Sequence, residues 1–453
     1  MGFDLVTRLS AWARPCAGSA LLSIAMTTVP GPSAPAQEGT TKLQASWWNR
    51  TSGRDGQTTS KFYRIRSDLT AQETRLYGER LDVMYQEYKR RIGVLPQRSA
   101  EVNDVFMFRS QEEYLSTLRE QFGLNGAGSG GMFFTSPRGA GLAFFVEGLP
   151  KSRVFHVIQH EGFHQYAYSR FGNDLPPWVN EGIAEFFGES VIVDGTVVIG
   201  QTSVRSLKAL QDAIEAGKYI RFRDMITMNT ERWNANVRDG NAALQYMQAW
   251  SMVHFLVYGE GGRFQSMFEK YLALLNRGST PYDAFVGAFQ SADIEGFEKR
   301  WLAHTRTARP SAFVTALERI EFLAEGLRTL AEKAGGTATL PKNIEELQTA
   351  LKEVKFTTTV GGLGSAHGKP SMLSASDDLN FQIPDDDLAK GTPTFAMTVT
   401  KSKRATSPKD RERDEKFPLP PSLSTKDLAP RNLVVRWIRS KEGDRFTFDI
   451  DVK

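Results

Sequence analysis

The chain has 453 residues, 40% hydrophobic and 24% charged, which is typical of an ordinary globular protein with room for two or three domain cores. Its formal charge of +4 is small for this length, and no long run of Lys or Arg occurs. These values argue against a nucleic-acid partner and give no sign of a surface for anionic membranes.

The first 36 residues have the features of an export signal. Two arginines precede an apolar segment from about Ala17 to Val29, and Ala34-Pro35-Ala36 offers small residues for cleavage. The apolar segment is too short to cross a membrane, so we expect no integral membrane segment in the mature chain. Cleavage would remove Cys16, the only cysteine, and leave a chain suited to the periplasm or the extracellular space. Residues 37–57 are polar and predict a flexible lead-in.

Residues 58–150 predict the α+β N-terminal part of a domain. Strands are expected at Lys61–Ser67 and Val102–Arg109, and each precedes a helix. Thr70 and Glu73 have the spacing of a capping box at the start of the first helix. Two more strands, at residues 132–135 and 142–146, are expected to pair across a turn, and the second ends shortly before the next helix.

Residues 151–309 predict a helical part of the same domain, and it carries the motif H-E-x-x-H. On a helix, His160 and His164 are one turn apart, so their ring nitrogens can reach one metal ion. Glu161 is angled beside that ion, which suits a base acting on a metal-bound water better than a ligand. Catalytic zinc usually has three protein ligands, so a third must come from elsewhere in the chain.

Glu181 is the best candidate for the third ligand. Gly172 and Pro176-Pro177 end the first helix and let the chain reverse before a second helix begins near Trp178. Glu185 lies one turn beyond Glu181 on the same face. There it could accept a hydrogen bond from the outer ring nitrogen of one of the two histidines and fix that ring.

The H-E-x-x-H helix followed by W-x-x-E-G-x-A-E resembles the gluzincin metallopeptidases, also called the peptidase MA-like superfamily. The resemblance implies one zinc ion per chain, with His160, His164 and Glu181 as ligands and Glu161 as catalytic base. It extends over about residues 58–306 and is greatest to secreted bacterial gluzincin-like domains of undefined function. It implies a gluzincin-like α+β fold with an N-terminal wall of strands and helices. Two imidazoles and a carboxylate suit zinc, with another divalent metal as the alternative.

The same resemblance suggests residues that contact the substrate. In gluzincin-like folds the strand at the position of Ala143, Phe144 and Phe145 lines the cleft and pairs with an extended peptide. In related enzymes a tyrosine or histidine donates a hydrogen bond to the oxyanion. Tyr246, on the apolar helix Asn241–Tyr258, is the candidate here, and a tyrosine that satisfies its hydroxyl locally in the core is the alternative.

Two other histidines have no place in this set of ligands. His156 lies one turn before His160, but gluzincin-like sites need no third histidine, so a local structural role is predicted. His254 is interpreted as a core or surface histidine without a chemical role.

Composition changes after residue 309. Residues 310–355 predict two helices that form a connector, and residues 356–453 predict a β-rich C-terminal module. The sequence does not identify a partner for this module.

The sequence therefore predicts an exported zinc-dependent metallopeptidase that hydrolyses peptide bonds in a peptide or protein, using a metal-activated water and Glu161 as general base. One alternative is a catalytically inactive, peptidase-like binding or scaffold protein, suggested by the long C-terminal module. The other is a zinc amidase acting on a non-peptide amide of the cell wall, because metal ligands alone do not identify the acyl group.

Overall fold

The computed structural model describes residues 57–149, 151–193, 195–202, 204–334, 340–360, 371–384, 391–398, 419–440 and 445–453. The predicted export signal and nearly all of the predicted lead-in lie outside these residues. The chain forms two compact units. The first contains the described residues up to Gln201 and from Ser206 to Ala308, and the second contains those from Arg309 onward together with the short segment Thr202–Arg205.

The first unit has a mixed five-stranded sheet. Its strands are β1 (Gln57–Thr59), β2 (Arg64–Ser67), β3 (Asp104–Phe108), β4 (Gly131–Ser136) and β5 (Gly139–Phe145). Their order in the sheet is β1-β2-β3-β5-β4. The β2–β3 and β3–β5 pairs are parallel, whereas β1–β2 and β4–β5 are antiparallel. The predicted hairpin is thus confirmed, and β4 forms one edge of the sheet.

Alternation along the strands divides the apolar side chains between the two faces of the sheet. Val105, Met107 and Phe144 belong to the main core, together with the helices of this unit. Phe106 and Phe145 point the other way, into a smaller cluster of buried aromatic and aliphatic residues. Burial of each such side chain contributes roughly 1.5–3 kcal/mol, so both faces hold the sheet in place.

Eleven helices are described in the first unit. They are α1 (Ala71–Ile92), α2 (Gln111–Thr117), α3 (Lys151–Phe171), α4 (Pro177–Gly188), α5 (Val204–Glu215), α6 (Phe222–Thr227), α7 (Thr230–Asn236), α8 (Ala242–Gly262), α9 (Gln265–Asn276), α10 (Pro281–Phe289) and α11 (Ile294–Thr307). Short π-helical segments, Leu118–Phe122 and Val237–Asn241, follow α2 and α7. A short antiparallel hairpin, β6 (Val191–Val193) and β7 (Thr196–Val198), follows α4.

The start of α1 confirms the predicted capping box. The Thr70 side chain accepts from the Glu73 amide, and the Glu73 carboxylate accepts from the Thr70 amide. Such a cap satisfies two amides that have no partner within the helix and stabilises it by about 1 kcal/mol. Helix α1 packs against α3, and both contribute side chains to the main core.

Helices α3 and α4 are joined by a sharp reversal. Gly172 has φ 61°, in the left-handed region that glycine adopts without strain, and Pro177 begins α4. At Gly182, α4 lies so close to α8 that an added Cβ would come 2.6 Å from the carbonyl oxygen of Ala249. This close approach fixes the distance between α4 and α8 next to Glu181.

The second unit contains helices and β structure. Its helices are α12 (Ala312–Ala334) and α13 (Ile344–Glu353). Strands β8 (Thr357–Val360) and β9 (Ser371–Ser374) form an antiparallel pair, and a 3₁₀ turn follows at Asp378–Phe381. Strands β10 (Thr394–Thr398), β11 (Ser422–Lys426), β12 (Leu433–Arg439) and β13 (Phe446–Val452) form an antiparallel sheet in that order.

The molecule is therefore of mixed α+β class. Within the described part of the chain, no helix combines the length and the apolar character needed to cross a lipid bilayer.

The expectation that Ala143, Phe144 and Phe145 offer backbone bonds to a substrate is wrong. These residues lie in β5, which pairs with β3 on one side and β4 on the other. Ala143, for example, is opposite both Phe106 and Met132. Because an interior strand uses its backbone groups within the sheet, it is β4 and not β5 that can offer such groups on this side of the sheet.

Candidate metal centre

Helix α3 brings the H-E-x-x-H motif into the interior of the first unit. His160 and Glu161 are almost completely buried, and His164 is 8% exposed. The periodicity predicted one apolar face, but α3 is buried on most of its circumference because α1, α4, β4 and β5 all pack against it. The motif residues therefore have fixed surroundings on every side except that of the cleft described below.

The predicted ligand atoms converge on one point. His160 Nε2 lies 3.0 Å from His164 Nε2 and 3.3 Å from Glu181 Oε2, and His164 Nε2 lies 3.4 Å from the same oxygen. Ligand bonds of 2.0–2.1 Å in a tetrahedral zinc site put neighbouring ligand atoms about 3.3 Å apart. The spacing of these three atoms therefore fits a single small cation of this kind, and the three residues form a group that could hold a metal ion.

Protonation in the cation-free protein follows from the burial of the same atoms. Burial lowers the pKa of His160 to about 4. Burial also opposes the charged form of His164, but the nearby Glu181 carboxylate outweighs it and raises the pKa of His164 to about 9. Burial likewise opposes the Glu181 carboxylate, yet the charge of His164 lowers its pKa to about 2. His164 thus carries a positive charge at the position where a bound cation would replace its proton.

Glu161 is positioned by the edge of the sheet. The backbone N–H of Phe133 in β4 donates to Glu161 Oε2 at 2.8 Å. Burial raises the pKa of Glu161 to about 8, although the charge on His164 and the Phe133 amide both act in the opposite direction. A carboxyl group whose pKa is this close to neutrality can both take up and release a proton.

Two side chains on α4 contact the outer nitrogens of the histidines. Glu185 Oε1 lies 3.4 Å from His160 Nδ1, the type of contact predicted for Glu185. The Asn180 side-chain oxygen lies 3.0 Å from His164 Nδ1, and sequence reasoning missed this residue. The available signal was its place beside Glu181 in an otherwise apolar stretch. Each contact fixes which nitrogen of its histidine faces Glu181.

Four glutamates are buried around this centre: Glu161, Glu181, Glu185 and Glu189. Burying a carboxylate is costly unless positive charge compensates it. Arg153 supplies part of that charge, since Glu185, Glu161 and Glu189 all favour its charged form. Burial nevertheless lowers the pKa of Arg153 to about 10. The excess of buried acidic groups makes this region favourable for a cation.

A cleft with a volume of about 410 Å³ opens beside these residues. Glu161, His164 and Glu181 reach it from α3 and α4, and β4, the C-terminal half of α3 and α7 form its walls. Much of the remaining lining is aromatic or aliphatic, including Phe122, Leu124, Phe134, Phe171 and Trp233.

Tyr246, the predicted oxyanion donor, is not one of the described residues that line this cleft. It is 1% exposed, and the Trp233 Nε1–H donates to its hydroxyl at 3.4 Å. The two rings meet edge to face at an angle of 66°, with centroids 5.1 Å apart. Trp233 thus occupies the wall of the cleft and Tyr246 packs in the core behind it, the arrangement that the alternative interpretation predicted.

Comparison with known proteins places this region within a recognised family model. A model described as "Protein of unknown function (DUF1570)" matches residues 155–276, from the second turn of α3 to the end of α9. The matched segment contains the three residues whose ligand atoms converge, His160, His164 and Glu181. No curated protein matches the chain.

Proposed function

We propose that this protein is a zinc-dependent metallopeptidase of the gluzincin type, and that it acts outside the cytoplasm. The observation that carries the proposal is the convergence of His160 Nε2, His164 Nε2 and Glu181 Oε2, with Glu161 directly beside them. Two imidazoles and one carboxylate are a donor set that suits zinc. Export rests on the features of residues 1–36, which lie outside the described residues.

Each residue of the centre has a distinct task in this proposal. When bound by His160, His164 and Glu181, zinc would make a water molecule more acidic and polarise the scissile carbonyl. Glu161 takes a proton from the attacking water and passes it to the nitrogen of the leaving amine. The Phe133 amide holds Glu161 during this exchange and favours its ionised form. Asn180 and Glu185 keep the two imidazoles in the orientation that presents Nε2.

The edge strand β4 supports a peptide as the substrate. The Phe145 N–H donates to the Gly130 carbonyl, and alternate residues of an antiparallel strand direct their backbone groups to the same side. The backbone groups of Phe133 and Thr135 therefore point away from β5, as the bond from Phe133 to Glu161 also indicates. The Phe133 carbonyl and both backbone groups of Thr135 can pair with an extended chain lying in the cleft.

The lining of the cleft indicates which peptide would bind. Among the described residues that form it, the acidic and basic side chains are Glu161, His164 and Glu181, all within the metal centre. The described lining includes no Lys or Arg at which the carboxylate of a free C-terminus could bind. We therefore infer cleavage within a chain, next to aromatic or aliphatic side chains that fill the apolar part of the cleft.

The first test is metal content and hydrolysis by the purified protein. We expect one zinc per chain in the wild type and in Glu161→Gln, and none in His160→Ala. Internally quenched peptides with apolar residues around the central bond should be cut by the wild type alone. His254→Phe, which changes a partly buried histidine elsewhere in the same unit, serves as the control and should behave like the wild type in both assays.

The outcomes distinguish the proposal from its two alternatives. A wild-type chain without metal after zinc is supplied would contradict the whole proposal. Zinc binding without cleavage of any peptide in a diverse library would favour a binding or scaffold protein. Hydrolysis of cell-wall fragments but not of peptides, with products identified by mass spectrometry, would favour the amidase. The free edge of β4 favours peptides, because it pairs with a continuous amide backbone.

A further inference from the structure

Two helices face each other with matching rows of side chains. On α3, histidines occur at every fourth position, at 156, 160 and 164, and α4 with its C-terminal capping residue presents glutamates at 181, 185 and 189. The metal centre uses the outer part of both rows. His156 and Glu189, at the inner end, have no role in the proposed chemistry so far, yet they are 1% and 0% exposed.

The inner residues continue the line of contacts that begins at the ligand His160. Glu185 Oε1 lies 3.4 Å from His160 Nδ1, and Glu185 Oε2 lies 3.8 Å from His156 Nε2. The other ring nitrogen of His156, Nδ1, lies 3.7 Å from Glu189 Oε1. The order is therefore Glu189, His156, Glu185, His160. Each oxygen of Glu185 faces a different imidazole, and each nitrogen of His156 faces a different carboxylate.

This geometry suits electrostatic contact between imidazoles and carboxylates better than a second metal ion. His156, His160 and Glu185 are close enough together to surround an ion. However, such an ion would use Nδ1 of His160, whose Nε2 already faces the outer centre. The two nitrogens of His156 point in opposite directions, so one ion cannot contact both carboxylates beside that ring. In contrast, each nitrogen of His156 faces a separate carboxylate oxygen just beyond hydrogen-bond distance, where the negative charge favours an N–H directed at it.

Close packing and hydrogen bonds hold His156 and the end of α4 in place at the inner end of the two rows. A Cβ on Gly188 would come 2.6 Å from Cε1 and 2.8 Å from Nε2 of His156, so only glycine lets the ring lie against α4. The Gln159 side-chain amide donates to the carbonyls of Phe187, Gly188 and Ser190 at 3.0, 2.8 and 2.9 Å. These bonds tie the end of α4, which carries Glu189, to α3.

We propose that His156 and Glu189 are positioning residues for the metal centre. Glu189 holds His156, His156 holds Glu185, and Glu185 holds the His160 ring so that Nε2 faces the other two ligands. The inference rests on the proposed function, since it assigns these residues to the same zinc site. It predicts that changes one or two helical turns from the ligand on the same helix weaken metal binding, because partners that orient a ligand typically contribute 10–100-fold in affinity.

The test compares His156→Phe and Glu189→Gln with the matched control His254→Phe in the full chain. Zinc affinity is measured by competition with a chromophoric chelator, and visible absorption of the cobalt-loaded protein reports the geometry of the centre. We expect the first two variants to bind zinc about 10–100-fold more weakly and to change the cobalt spectrum. The control should match the wild type. Thermal unfolding of the metal-free proteins shows whether each variant is folded.

Each result supports or overturns the inference. Wild-type zinc affinity and an unchanged cobalt spectrum in a folded His156→Phe would overturn it while leaving the zinc site intact. Two zinc ions per wild-type chain, one of them lost in His156→Phe, would overturn it in favour of an inner metal site. If His156→Phe does not fold, Glu189→Gln decides by the same criteria. A wild-type chain without zinc would overturn the proposed function and this inference together, whereas the other failures affect the inference alone.

Discussion

The close packing of α4 on α8 makes Gly182→Ala a sharp test of how the third ligand is held in place. A Cβ at this position would lie 2.6 Å from the backbone oxygen of Ala249 and 2.8 Å from Val253 Cγ2, whereas ordinary contact begins at 3.4 Å. Since the nearest atom belongs to the backbone, the two helices must separate by several tenths of an ångström. Glu181, the adjacent residue, would move away from the two histidines with its helix.

The expected magnitude follows from two opposing effects. Overpacking a core typically lowers the stability of the folded state by about 1–3 kcal/mol, while replacing a glycine by alanine within a helix raises it by roughly 0.5–1 kcal/mol. The net loss of stability should be about 1–2 kcal/mol, a decrease in Tm of about 2–8 °C for a unit of this size. Displacement of Glu181 should also weaken zinc binding by about tenfold or more, or at least about 1.4 kcal/mol.

Both quantities are measured on one preparation. Thermal unfolding of the metal-free protein gives the change in stability, and chelator competition gives the change in zinc affinity. Gly287→Ala is the control, because Gly287 is also helical, is exposed, and has only Leu274 Cδ1 as a neighbour, 3.3 Å from the added Cβ. Equal stability and equal zinc affinity in Gly182→Ala and Gly287→Ala would refute the reasoning.

Three further predictions concern protonation and the edge strand. Burial lowers the pKa of His254 to about 3, whereas an unfolded histidine titrates near about 6.5. The unfolded chain therefore takes up a proton as pH falls below 6.5, and urea denaturation should show a loss of about 2 kcal/mol between pH 6.5 and pH 5 from this residue. An equally steep loss in His254→Phe would contradict this. Since the pKa of His164 is about 9 through its contact with Glu181, a cation must displace its proton, and zinc affinity should rise about tenfold per pH unit from pH 6 to 8. Zinc affinity that does not change with pH in the competition assay would show that no proton is displaced from His164. Finally, Phe133→Pro removes the amide that holds Glu161 without removing a bond of the sheet, so peptide hydrolysis should fall about tenfold or more at unchanged zinc content. Phe133→Ala keeps the amide and is the control, and equal activity of the two variants would argue against a role for this bond.

Features encoded in neighbouring residues could be predicted from the sequence. The capping box of α1 needs only Thr70 and Glu73, and both contacts are present. The helix carrying His160 and His164 and the reversal after Gly172 likewise depend on short patterns. Glu181 could be placed near the histidines because the two helices are consecutive and must face each other across a short turn.

Features that depend on contacts between distant parts of the chain could not be predicted from the sequence. The order of strands in the sheet is set by pairs such as Val105 with Leu142, and no local pattern shows which strand of the β4–β5 hairpin lies outside. Helices α6 and α7 are six and seven residues long, too short for an apolar period to be visible. Because α7 was missed, its Trp233 could not be expected to stand between Tyr246 and the cleft.

The position of β4 at the wall of the cleft also has a consequence for self-association. An exposed sheet edge invites pairing with the edge of another molecule and is a common route to aggregation. Here only part of the edge is open: Thr135 is exposed, but Met132 and Phe134 are about 5% exposed or less, and the Phe133 amide is bonded to Glu161. The cleft in front of it holds about 410 Å³, enough for a short stretch of one extended chain but not for a second sheet. The same confinement that admits a single peptide thus protects the protein from pairing with copies of itself.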